Sequence, residues 1–186
     1  MTKFVVPATV LGRFLELEAV KLEISNGKYY IIGSNDTIAA VEYLGESKET
    51  NDSCYINTEN VCINQGNVNE SFIFETIPEL AMGTVTDTKG QSYKDYILWP
   101  DESPLDKWRE WFKLSEVPQG FMYWNMEQIE KLWKNCPSGE ITFPEIINSD
   151  EPVILRDANN TNWAGVFIPS VDGKALIKPA ILPEWL

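Results

Sequence analysis

The sequence predicts an α+β protein with a mainly antiparallel sheet and helices packed on one face. Three observations carry this. Runs rich in Val, Ile, Tyr, Phe and Thr, broken by turn residues, fill most of the chain, which is how half-buried strands read. A few segments instead place apolar residues at helical spacing behind capping residues. The order of one helix followed by three strands occurs twice, at an offset of roughly 120 residues.

In chain order, residues 2–6 read as a strand and 8–17 as a helix. Val10, Leu11, Phe14 and Leu15 give that helix an apolar face, although Gly12 weakens it by about 1 kcal/mol relative to Ala. The run VKLEISNGKYYII holds two strands, 20–25 and 28–33, around Asn26-Gly27, the pair suited to a type I′ turn because both positions need positive φ. TIAAVEYL, 37–44, is the third strand of this first set. Residues 45–70 are polar and read as a long loop with one strand at 54–63, and SFIFETI, 71–77, alternates as a strand.

Residues 80–120 read as a second long loop carrying a helix over 105–114. Ser103 caps it, Pro104 fits its first turn, and Asp106 takes the capping-box position. Leu105, Trp108 and Phe112 form its stripe. A strand at 121–124 leads into the clearest helix, 125–135, capped by Asn125 with Gln128 three residues on. Its apolar positions are Met126, Ile129, Leu132, Trp133 and Cys136, and Glu127–Lys131 and Glu130–Lys134 are favourably ordered i,i+4 pairs. Strands at 139–146, 151–157 and 163–169 complete the second set. The reading is therefore one domain over 1–186, with a first β-α-β-β-β unit over about 1–90 and a second over about 91–186. The helices should cover Ile24, Ile31, Ile141 and Val153.

The bulk numbers narrow the function classes. Of 186 residues, 44% are hydrophobic and 23% charged, the balance of a globular chain. A net charge of −13 opposes indiscriminate binding to nucleic acid or acidic membranes. The scattered acids read as a solvated surface, with a nucleic-acid-mimicking surface as the alternative. No apolar run reaches the roughly 20 residues that span a bilayer, and Met1-Thr2-Lys3 leads directly into a strand, so the cytoplasm is the expected location. Cys54, Cys62 and Cys136 form no CxxC pair and read as reduced, structural thiols.

Nothing points to catalysis. Without histidine, Ser-His-Asp and Cys-His arrangements and most zinc sites are excluded. There is neither a GxxxxGK[ST] loop nor a GxGxxG. Asp150, Glu151 and Asp157 read as solvated acids flanking turns. The expectation is a non-enzymatic protein with no metal and no cofactor. The seven tryptophans are more informative. Core packing competes with a recognition surface for them, and Trp108, Trp111 and Trp185 are the candidates for an interaction surface.

The order of elements resembles the DNA sliding clamps, of the bacterial β-subunit and PCNA types, whose domains each contain two β-α-β-β-β units. Gly90-Gln91-Ser92-Tyr93-Lys94-Asp95-Tyr96, then Trp99-Pro100, looks like the bacterial clamp's crossing segment, with Lys94 in place of its proline. Pro152-Val153-Ile154 and Trp163-Ala164-Gly165-Val166-Phe167-Ile168-Pro169 are similar to its closing hairpin, and LEISNGKYYIIGSNDTIAAVEY to its early hairpin. Clamp chains carry two or three such domains, and this one has room for one.

The resemblance implies a non-enzymatic clamp-like protein acting through protein–protein contacts in DNA replication or repair. Its partners would be a polymerase or another DNA-processing protein, with self-association into a ring and no membrane. It implies a partner-peptide pocket at Val166, Ile168, Pro169, Tyr96, Leu98 and Pro100. It also makes Arg13, Lys131 and Lys134 the candidate DNA-facing groups. Glutamates dilute these, so DNA would be held weakly or topologically. The rival reading is an acidic decoy, virus- or plasmid-encoded, that occupies a DNA-binding protein.

Overall fold

The computed structural model describes residues 2–35, 38–49, 51–56, 71–77, 82–86, 89–95, 104–112, 121–123, 126–142, 153–167, 170–172 and 184–185. Strand β1 (Lys3–Pro7) runs into helix α1 (Ala8–Phe14), and β2 (Ala19–Ser25), β3 (Lys28–Ser34) and β4 (Ile38–Glu46) follow as a meander. Then come β5 (Asp52–Ile56), β6 (Ser71–Ile77), β7 (Met82–Thr86) and β8 (Ser92–Asp95). A 3-10 turn (Pro104–Lys107) leads into the single turn α2 (Trp108–Trp111). The order β-α-β-β-β then recurs as β9 (Phe121–Tyr123), α3 (Met126–Asn135), β10 (Ile141–Thr142), β11 (Val153–Asp157) and β12 (Trp163–Phe167), ending in β13 (Ser170–Asp172).

The two meanders join into one seven-stranded sheet ordered β10-β11-β12-β4-β3-β2-β5. They meet where β4 and β12 pair antiparallel, Ala40 opposite Gly165 at the middle. In each set the opening strand pairs antiparallel with a strand beyond the meander, β1 with β6, which comes after β5, and β9 with β13. A four-stranded sheet, β1-β6-β7-β8, accounts for the remaining strands. Every described pairing is antiparallel.

The β2–β3 turn follows its sequence, with Asn26 at φ 52° and Gly27 at φ 74°. Strands β7 and β8 lie where a loop was expected. They are short, and they extend the sheet in turn, β7 pairing with β6 and β8 with β7. Strand β5 starts at Asp52, earlier than expected, and its expected part beyond Ile56 lies outside the described residues. So do residues 143–146 and 168–169 of the expected last strands, and the capping residues Ser103 and Asn125.

Side chains alternate across the seven-stranded sheet, and both faces are buried. One face carries Val20, Leu22, Ile24, Ile31, Ile38, Ala40, Val153, Leu155, Trp163 and Phe167, in one cluster with Leu11 and Phe14 of α1 and Leu132 of α3. Ile141 packs against it, as expected, and Phe4, Phe72 and Phe74 bring the four-stranded sheet into the same core. Close approach of α3 needs Gly165, where a Cβ would sit 2.7 Å from Trp163 Cη2 and 3.2 Å from Leu132 Cδ2. The other face carries Tyr30, Ile32, Ala39, Val41, Ile154, Ala164 and Val166 beneath Leu105, Trp108 and Phe112. The two unit helices thus share one face, as expected, and the 104–112 segment closes the opposite one through its stripe Leu105, Trp108 and Phe112, whose spacing marks an apolar side but not the face it covers. Among the described residues no helix is long and apolar enough to cross a membrane.

Candidate functional site

On the helical face, the ends of α1 and α3 are tied by a polar bolt. The Asn135 side chain donates to the Arg13 carbonyl (2.9 Å) and accepts from the Trp163 indole (2.8 Å). Arg13 Nε donates to the Asn135 carbonyl (3.0 Å), and its guanidinium pairs with Glu42 at 2.6 Å. Burial raises the Glu42 carboxyl, with Arg13 acting against it. Arg13 therefore carries a structural ion pair, and its charge is spent inside the protein. The other two candidate DNA-facing groups are matched by acids on their own helix: Lys131 with Glu127 at 3.8 Å and Lys134 with Glu130 at 3.0 Å.

Helix α3 docks on Leu132, Asn135 and Cys136. Met126 and Trp133, placed on the apolar face by spacing, are 70% and 55% exposed. The polar Asn135 takes the inward position because its hydrogen bonds are satisfied there. The Trp133 indole instead donates to the Gly139 carbonyl, where the chain leaves the helix.

Asp157 is a second correction. It is buried, and its carboxylate accepts from the Cys136 thiol, Ser138 N–H and O–H, and the Asn159 and Asn160 N–H groups at 2.7–3.0 Å. It thereby organises both the end of α3 and the β11–β12 turn. Burial alone would raise its pKa. The hydrogen bonds from Cys136, Ser138 and Asn159 outweigh this and hold it down at about 2. Burial and the bond to Asp157 push the Cys136 thiol up to about 11. Cys54 and Cys136 are free and buried, and Cys62 lies outside the described residues.

Because the folded carboxyl titrates below its ordinary 3.8, Asp157 contributes stability that is complete above that value and lost as pH falls through about 2. Urea titrations between pH 5 and 2 should show about 2 kcal/mol of acid-dependent loss that Asp157→Asn lacks. Equal pH slopes for both proteins would refute this role.

The opposite face holds a charged network. Lys21, buried, binds Glu23 (3.0 Å) and Asp106 (2.7 Å), and Arg109 binds the second Glu23 oxygen at 2.5 Å. The Trp108 indole also points at Glu23 (3.3 Å), and the Tyr55 hydroxyl at Asp106 (2.5 Å). Burial opposes ionisation of Glu23, but Arg109 and Lys21 more than offset it and lower its pKa. Arg109 lies 4.1 Å over the Trp108 ring and 5.3 Å over that of Tyr30. Asp106, expected to cap its helix, pins it to the sheet instead.

Trp108 is fully buried, so it belongs to the core and not to an exposed recognition surface. Trp111 is half-buried against the same cluster, as is Trp185. Val166, taken from the sequence as a pocket wall, is 4% exposed and shares that cluster with Leu105, Trp108 and Phe112. It is a core residue here. The other five pocket residues, Ile168, Pro169, Tyr96, Leu98 and Pro100, lie outside the described residues. The ties that hold the 104–112 cover to this face have no local signal, because the partners, Lys21 and Asp106 or Glu23 and Arg109, are more than 80 residues apart. The signals in the sequence were the apolar stripe Leu105, Trp108 and Phe112 and the tryptophan-rich stretch around it.

No protein-family model matches this chain. No curated protein matches it by sequence. Solved structures match across most of its length. A putative DNA polymerase III β subunit from Eubacterium rectale is 9% identical, with a TM-score of 0.62 over 91% of this chain. The DNA polymerase III β subunit of Thermotoga maritima is 11% identical, with a TM-score of 0.60 over 91%. The β subunit of Pseudomonas aeruginosa is 11% identical, with a TM-score of 0.58 over 91%. The match spans 65–66% of those chains.

Proposed function

From a chain that has the fold of the bacterial sliding clamps, we propose a clamp-like protein that acts through protein–protein contacts in DNA replication or repair and catalyses no reaction itself. Residues 1–186 form one clamp-like domain of two units, divided near residue 90. The observation that carries the reading is the junction of β4 and β12, which joins the three-stranded meanders of two β-α-β-β-β runs into one sheet with α1 and α3 on the same face. Around a duplex, such a face would hold DNA by topology. Its candidate cations are already matched by Glu42, Glu127 and Glu130, which leaves little for phosphate contacts.

Self-association would use strand edges. Among the described residues, β5 and β10 end the seven-stranded sheet, and β1 and β8 end the four-stranded one. Light scattering after size exclusion should give a closed oligomer, and the protein should be retained on circular but not linearised DNA. A strict monomer at roughly tens of micromolar removes the ring. Salt-sensitive capture of a basic DNA-binding protein, with no retention on circles, would favour the acidic-decoy reading.

A further inference from the structure

Helix α3 meets the sheet through Leu132, Asn135 and Cys136, and at about 100° per residue Met126, Ile129 and Trp133 fall together on a neighbouring flank. Ile129 is half-buried, whereas Met126 and Trp133 are each more than half exposed. The Trp133 indole donates to the Gly139 carbonyl. That bond occupies the ring's one polar group and fixes the ring at the end of the helix. What Trp133 offers to solvent is therefore an apolar, electron-rich face. Among the described residues no cation and no second ring packs on it.

The charges nearest this ring in the helix and its exit are acids. Glu130 stands one turn before Trp133, about 60° around the helix and on the side of Met126. Glu140 follows Gly139 and is exposed. Lys131 and Lys134 project from the other flank, roughly 160° and 100° from the ring. Glu130 pairs with Lys134 in an exposed i,i+4 bridge that water screens, and Glu140 accepts from the Asn159 amide at 2.9 Å. The protein itself shows what a tryptophan face beside a carboxylate holds. On the sheet face opposite α1 and α3, Arg109 lies 4.1 Å over the Trp108 ring while it binds Glu23. The ring attracts the planar cation and the carboxylate takes its N–H groups. That seat is filled from within. At Trp133 the ring and the acids are present, and no described cation fills the place.

We propose that the Trp133 flank of α3 is a docking surface for a basic protein segment. An arginine of the partner stacks on Trp133 beside Glu130 and Glu140, and an apolar neighbour of that arginine covers Met126 and Ile129. The net charge of −13 draws such a segment in and turns phosphate away, so a nucleic acid is the wrong occupant. A ring already held by Gly139 loses little freedom on binding. The surface uses no strand edge and is independent of whether copies close into a ring.

The probe is a short dye-labelled peptide of alternating Arg and Leu, followed by fluorescence anisotropy against the full chain at low ionic strength. The unmodified protein should bind it, less tightly as salt rises. Trp133→Ala should weaken binding about tenfold or more, and the pair Glu130→Gln with Glu140→Gln about as much. A peptide with Lys in place of Arg should bind several-fold more weakly, because an ammonium has no planar face to stack. The control pair, Glu127→Gln with Glu49→Gln, removes the same charge from the far flank and from the β4–β5 loop, and should leave binding within about twofold. Should Trp133→Ala fail to fold, the Glu130–Glu140 pair reads the same seat. Unchanged binding in either variant, or an equal loss in the control pair, would mean attraction to net charge alone and would overturn the proposal. So would a peptide that does not bind. Binding of single-stranded oligothymidylate that is lost in Trp133→Ala would also overturn it, by making the flank a base-stacking surface.

Discussion

Replacing Asn135 with Ala is expected to cost about 3 kcal/mol of folding stability in urea unfolding followed by circular dichroism. Asn135 is fully buried, and its amide bridges the Trp163 indole to the Arg13 carbonyl. Truncation leaves a buried indole N–H without its acceptor and weakens the tie between α1 and α3. Each buried group left unpaired costs roughly 1–3 kcal/mol, and the small cavity adds to that. Asn135→Asp keeps an acceptor for the indole but loses the donor to Arg13 and buries a charge, so it should be no milder. Trp163→Phe supplies the control. In that background the cost of Asn135→Ala should fall by about 1 kcal/mol or more, because the orphaned donor is gone. Strict additivity of the two substitutions would sink the bridging role.

Trp108→Ala is expected to cost about 4 kcal/mol, the range for removing a fully buried aromatic ring. The ring is central to the cover on the second face. Phe112 packs edge-on against it at 6.1 Å, Tyr30 lies 5.3 Å away, and Arg109 stacks on it. Its loss also removes one hydrogen bond to Glu23 and weakens the platform that holds Arg109 there. The 104–112 segment should then become sensitive to limited proteolysis while the sheet remains folded. Trp108→Phe keeps most of the packing and loses the indole bond, so about 1 kcal/mol is expected for it. A loss below about 1 kcal/mol for Trp108→Ala, with proteolysis unchanged, would mean that the segment is not part of the fold's core.

What the sequence determined by itself was local and periodic. The alternation in 20–44 set which residues share a face. Asn26-Gly27 set a turn with two positive φ values, and the spacing of Val10, Leu11 and Phe14 set a helix. The repeated order of elements was legible because each element announces itself within a few residues. Only the tertiary structure decided which side chains those faces meet. Trp108 reads as core, with surface as the rival, until Glu23 and Tyr30, more than 75 residues earlier in the chain, are brought to it. Asn135 looks like an outward polar residue, and Asp157 like a solvated turn acid, until the indole, the carbonyl and the amides that satisfy them are in place. Met126 and Trp133 keep their helical spacing but find no partner core, since α3 meets the sheet through its last turn. Hydropathy prices a residue's own transfer from water. A buried polar group is stable only through partners distant in sequence, and these have no period to read.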